Sequence, residues 1–102
     1  MALVNRETVR IRVRRMLGRA EPPGGVEMMS YKRNRTIALL LLENGNILVR
    51  ERGYVVGEQE VAPEDLDRLL KVLVRREFPR SRKIRLHRFA DPAELERIHQ
   101  KI

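Results

Sequence analysis

The chain has 102 residues, 42% of them hydrophobic, enough for one domain with a packed core and too few for two ordinary ones. It has no cysteine, which excludes disulfides and thiol chemistry, and only two Tyr, two Phe and no Trp, so the core must be aliphatic. The net charge of +8 is uneven: residues 1–35 carry nine Lys/Arg against three Glu, and the remainder thirteen against eleven acids.

That imbalance implies an acidic partner for one face or arm: nucleic acid, an anionic membrane surface or an acidic protein. The competing explanation is compositional. Arginine outnumbers lysine eighteen to four, as a GC-rich genome or a hot habitat would produce without any partner. The longest uncharged apolar run, residues 37–42, falls far short of the ~20 residues that span a bilayer. The first residues lack the apolar stretch of a signal peptide. No membrane span and a cytoplasmic location are therefore expected.

In chain order, the first element is "ETVRIRVRRMLGR", residues 7–19. As a strand it puts Val9, Ile11 and Val13 on one side and Arg10, Arg12 and Arg14 on the other. As a helix it makes a stripe of Val9, Val13, Met16 and Leu17, aligns Arg6, Arg10 and Arg14, and leaves Ile11 on the wrong face. The β-branched residues favour the strand. Either way the segment docks by its aliphatic side and shows arginines outward.

Residues 20–35, with Pro22-Pro23 and Gly24-Gly25, read as a connection. Residues 36–42, "TIALLLL", are apolar on both faces, as in a central strand. Asn44-Gly45 then signals a hairpin, and residues 47–52 return as an alternating strand. Gly53 ends or bulges it, and "YVVG" either extends it or opens another short strand. Residues 62–78 form the clearest helix, with Pro63 in its first turn and a stripe of Leu66, Leu69, Leu70, Leu73 and Val74. Residues 83–89 read as a strand. Asp91, Pro92 and Glu94 then open a last helix, residues 92–101, with a capping-box signature.

The expectation is an α+β fold: one small domain with a three- to four-stranded mixed or antiparallel sheet, in the order hairpin, helix, strand, helix, behind a basic N-terminal strand or helix. Residues 1–19 are the N-terminal element, 20–35 the connection and 36–102 the compact part. The strand at 36–42 should lie between those at 47–52 and 83–89. One face of the sheet is then left for the last helix, the N-terminal element or a second subunit, which keeps a homo-oligomer in play.

Catalytic chemistry finds little material. His87 and His99 stand twelve residues apart with no cysteine near, so no metal or cofactor is expected. Glu64, Asp65 and Asp67 suit the positive end of a helix. Glu58 and Glu60 alternate along an extended stretch, the pattern of a solvated strand face more often than of a paired-carboxylate site. The expectation is not an enzyme.

The cations form three groups: Arg10, Arg12, Arg14 and Arg15; Lys32, Arg33 and Arg35; and Arg82, Lys83 and Arg85, the last flanked by Arg80 and Arg88. Should they converge, they suit a phosphate backbone. Only Tyr31 and Tyr54 are placed to stack a base, so backbone or shape recognition of RNA or a ribonucleoprotein is expected, not base reading. The alternative is a non-catalytic interaction or assembly module that dimerises through the uncovered apolar sheet face.

Overall fold

The structure is a computed structural model, and it describes residues 2–95 except Tyr31, Arg33, Tyr54 and Arg80. The strands are β1 (Ala2–Asn5), β2 (Gly25–Met29), β3 (Thr36–Leu41), β4 (Ile47–Arg52), β5 (Val56–Val61) and β6 (Lys83–Phe89). A 3₁₀ turn at Arg6–Thr8 leads into helix α1 (Val9–Leu17), and α2 (Pro63–Glu77) joins β5 to β6. The strands form one sheet in the order β1-β6-β2-β3-β4-β5, and every neighbouring pair is antiparallel.

Both helices lie on one face of the sheet. A six-stranded sheet is about 24 Å wide at the usual strand spacing, and a helix with its side chains covers only about 10 Å. Helix α2 alone therefore cannot cover it. Helix α1 fills the remaining width, burying Val9, Val13 and Leu17, while α2 buries Leu66, Leu70, Leu73 and Val74. These meet Val26, Met28, Ile37, Leu39, Ile47, Val49, Ile84 and Leu86 from the sheet in one core. On the opposite face Leu95 packs against Ala38, Leu40 and Phe89.

The expected three- to four-stranded mixed or antiparallel sheet is thus corrected to six antiparallel strands. Two strands escaped the sequence reading and a third was only hinted at. Strand β1 is only four residues long. Strand β5, with the sequence VGEQEV, is legible only as one of two readings of the residues after Gly53 and as an alternating Glu58/Glu60 face, because it is a polar edge with no apolar alternation to mark it. Strand β2 lies inside residues 20–35, which are therefore not only a connection.

β2 enters the sheet between β6 and β3, so the residues at 36–42 do not neighbour those at 83–89 as expected. Its glycines serve close approach. A Cβ on Gly25 would collide with the carbonyl oxygen of Leu39, and one on Gly24 would come within 2.7 Å of Phe89 O. Residues 7–17 also depart from the favoured strand: they are a 3₁₀ turn and a helix. The i, i+4, i+8 spacing of Val9, Val13 and Leu17 buries a continuous stripe on the sheet and leaves Ile11 58% exposed, so tertiary packing overrides β-propensity.

The hairpin expectation holds. Gly45, at φ +90°, ends a three-residue loop closed by Gly45 N–H to Leu42 O at 3.0 Å and Leu42 N–H to Asn46 O at 2.9 Å. Helix α2 matches its predicted span closely. The capping box at Asp91 also forms: Glu94 Oε2 accepts from Asp91 N–H at 3.0 Å, and Asp91 Oδ1 from Ala93 N–H at 2.9 Å. The predicted helix 92–101 lies outside the described residues beyond Leu95.

Candidate functional site

Strand direction decides where the charges go. β1, β2 and β4 all end, and β3, β5 and β6 all begin, at the same end of the sheet, and α2 finishes there as well. Met29 pairs with both Arg85 and Thr36, so the turn at residues 30–35 projects beside the start of β6. Arg6 N–H donates to Arg82 O at 2.9 Å, which brings the N-terminal segment to the same place. Arg52, opposite Thr36, completes the row. Lys32, Arg52, Arg82 and Lys83 are exposed there.

The opposite end is acidic on balance: Glu21, Glu43, Glu64, Asp65, Asp91 and Glu94 belong to the loops and helix start there and Glu60 to the end of β5, outnumbering the exposed Arg19 and Arg88 beside them. Charge is therefore segregated along the strand axis, a property that no sequence window displays.

The predicted cations divide accordingly. Arg10 Nη1 lies 3.1 Å from Asp67 Oδ2 and Arg14 Nη1 3.9 Å from Asp67 Oδ1, so both approach one carboxylate on α2, with Arg14 61% exposed. Arg12 and Arg15 are exposed on the outer side of α1. Lys32 is exposed in the turn, and Arg33 lies outside the described residues. Arg35 turns inward: its Nη1 donates to Glu77 O at 3.0 Å, placing a cation on the last carbonyls of α2, where the helix dipole favours it. Arg82 and Lys83 are exposed, and Arg85 is half-buried on the face away from the helices. Lys32 of the second group and Arg82 and Lys83 of the third lie exposed at one end of the sheet, while Arg12 and Arg15 of the first are on the outer side of α1.

A buried polar network fixes this end. Glu51 and Glu77 are buried, and Arg76 bridges them: its Nη2 meets Glu51 Oε1 and its Nε lies 3.3 Å from Glu77 Oε2. Gln59 Nε2 reaches Glu51 Oε2 at 3.5 Å. Gly53 packs so closely on Glu77 that a Cβ there would strike its carboxylate. Ser30 Oγ accepts from Arg35 N–H at 3.2 Å, and Ser30 N–H donates to Arg35 O at 3.0 Å, closing the turn that carries Lys32. The sequence signal for this network exists: Glu51 continues the inward alternation of Ile47 and Val49, and Glu77 follows Leu73 at i+4 on the apolar stripe of α2.

The remaining sequence candidates take structural roles. Glu58 accepts from Arg50 Nε at 3.0 Å. Glu60 accepts from Asn46 and Asn44 at 2.7 and 3.2 Å, and these bonds hold its carboxyl below the ordinary range. The Glu94 carboxyl is likewise lowered, by the Asp91 and then the Ala90 backbone N–H. His87 lies half-buried beside Glu27 on the neighbouring strand, and His99 lies outside the described residues. Among the described residues no group of three acids and histidines is placed to hold a metal, and no helix is long and apolar enough to cross a membrane. Comparison with protein-family models, curated proteins and solved structures found no match for this chain.

Proposed function

We propose that this protein binds the sugar–phosphate backbone of nucleic acid, as RNA or within a ribonucleoprotein, through the cationic end of its sheet. The supporting observation is the meeting of cations distant in sequence, Lys32, Arg52, Arg82 and Lys83, on the exposed rim of a rigid sheet. Cations held in a fixed array gain affinity by releasing the counterions condensed on a polyanion. Arginine adds a planar fork that seats two phosphate oxygens. The acidic opposite end gives the molecule a charge dipole that orients its approach.

This reading needs no base recognition. Tyr31 and Tyr54, the two aromatics suited to stacking, lie outside the described residues, and the cations suit backbone oxygens of any sequence. Binding of a fluorescently labelled single-stranded RNA, followed by anisotropy across a salt series, is the test. Affinity should fall steeply with salt and depend little on sequence. A lack of binding at low salt overturns the reading.

The interaction-module alternative draws on a different feature. Among the described residues the apolar face that it relied on is covered: Met29, Ala38, Leu40 and Phe89 on that face are all buried. What favours it now is the outer strand β5, whose Val56 is 79% exposed beside an edge with no further strand, a geometry that accepts another chain. Light scattering tests it, since a monomer at high concentration excludes pairing of two copies.

A further inference from the structure

We infer that the cleft between Asn5, Arg6 and Glu7 on one side and Pro79, Ser81 and Arg82 on the other is the seat of a single phosphoryl group of the bound nucleic acid, gripped by Arg6 and Arg82. The inference rests on the phosphate-backbone reading above and narrows it to one site. The cleft encloses about 440 Å³ and is lined by Asn5, Arg6, Glu7, Pro79, Ser81 and Arg82. Its two walls come from segments more than seventy residues apart and are tied by the bond from Arg6 N–H to Arg82 O.

Arg6 is set apart from the half-buried Arg10, Arg50 and Arg76, each of which reaches a carboxylate, while Arg82 is exposed on the rim of the cleft. Neither Arg6 nor Arg82 has an ion pair among the described residues. Arg6 is half-buried, and its Nε, shielded from solvent, has no hydrogen-bond acceptor among the described residues. A buried donor left unmet costs free energy, and such donors mark strain or the place of a bound water or ion. The Nε–H and the adjoining Nη–H form one fork of the guanidinium. An oxyanion seated on that fork, with the side chain turning its Nε edge to the cleft, meets the donor that the fold leaves unmet.

The tetrahedral phosphate suits this site better than a planar carboxylate. Arg6 takes two of its oxygens, and Arg82 and the Ser81 hydroxyl serve the others from the facing wall. Lys83, the strand partner of Asn5 and exposed, extends the positive track out of the cleft, so a nucleotide chain leaving the site continues over a cation. Glu7 on the rim opposes the anion and keeps the affinity moderate.

The test uses the full ¹⁵N-labelled chain and follows the arginine Nε–H resonances. It is titrated with inorganic phosphate at constant ionic strength and, separately, with a short single-stranded oligoribonucleotide. The Arg6 Nε–H resonance should shift saturably with the oligonucleotide. Arg82→Gln should raise the half-saturating concentration about tenfold, the loss of a charged fork, and Glu7→Gln should lower it. If Arg6→Lys folds, it should weaken binding similarly; Arg82→Gln and the wild-type resonance keep the test independent of that variant.

An oligonucleotide that binds while Arg6 stays unmoved overturns this site and leaves the backbone reading standing. A shift with inorganic phosphate but none with the oligonucleotide overturns the assignment to nucleic acid and makes the cleft a small-anion site. A chain that responds to neither overturns both.

Discussion

The backbone N–H of Arg6 donates to the carbonyl of Arg82 at 2.9 Å, and this bond joins the first and last parts of the described chain at the cationic end of the sheet. It explains why the N-terminal segment cannot act as a detachable arm. Residues 2–17 supply an edge strand and a helix whose Val4, Val9, Val13 and Leu17 are buried in the core. Removing residues 1–20 should therefore unfold the protein, measured as loss of a cooperative thermal transition. A truncated chain that stays folded and merely loses affinity would contradict this packing.

Asp67 holds two arginines, but all three side chains are substantially exposed, at 37%, 61% and 44% for Arg10, Arg14 and Asp67. Exposed pairs of this kind contribute about 1 kcal/mol or less. Asp67→Asn should accordingly lower stability by less than about 1 kcal/mol in urea denaturation while freeing two cations. A loss of several kcal/mol would mean that the pair is far better shielded than its exposure indicates.

Glu77 differs because it is buried at 1% exposure in contact with Arg76. Replacing it with alanine opens a void and takes from Arg76 one of the two carboxylates it bridges, leaving Glu51. The expected cost is about 2–3 kcal/mol, below the full penalty for a broken buried pair because Arg76 keeps Glu51 and some access to water. Since Arg35 and Gly53 pack on the same residue, the amides of residues 30–35 should also lose hydrogen-exchange protection. Unchanged protection there would detach the turn from the network.

Two glycines should respond in opposite ways to alanine. At Gly25 a Cβ runs into the Leu39 carbonyl of the adjoining strand, whereas at Gly57 on the outer strand nothing lies within 4 Å. Gly25→Ala should cost more than about 3 kcal/mol, since neither backbone can move without breaking the ladder. Gly57→Ala should leave stability the same or slightly higher. Equal midpoints for the two variants would refute the register of β2 against β3.

The cap at Asp91 carries a pH signature. The Glu94 carboxyl is lowered by the Asp91 and Ala90 N–H groups, so the charged form is favoured in the fold. Its contribution is complete above the ordinary carboxylate range and is lost as pH falls through its lowered folded value. An NMR titration should place Glu94 below the same residue in a short peptide, with faster amide exchange at Ala90 and Asp91 appearing over the same acid interval. A peptide-like midpoint would remove the cap.

Local patterns were legible where one force dominated. Helix α2 announces itself through Pro63 and the Leu66–Leu70–Leu73 stripe, and the β3–β4 hairpin through Asn44-Gly45. Strand β2 was hidden because the same glycines that suggest a turn are required for close packing against Leu39. Helix α1 was ambiguous because its β-branched residues alternate as a strand would, and only the width of the sheet to be covered decides for the helix. The site was half legible. Lys32, Arg82 and Lys83 stand out by charge, but their union depends on Met29 pairing with two strands at once. The approach of Arg10 and Arg14 to Asp67, more than fifty residues away, has no signal in the sequence. Arg6 carried no signal in a chain with so many arginines.

The most direct test of the proposed function is the salt dependence of RNA binding by two multiple variants with exposed substitutions. Lys32→Gln/Arg82→Gln/Lys83→Gln removes the cations at the sheet end, and Arg12→Gln/Arg15→Gln removes the outer pair on α1. Each phosphate that is no longer neutralised should flatten the log–log salt slope by about 0.7 on a single strand. The triple variant should therefore lower affinity more than tenfold at low salt and flatten the slope by about 2, while the helix variant leaves the slope unchanged. A flattened slope in the helix variant with none in the triple variant would contradict the assignment of binding to the cationic end.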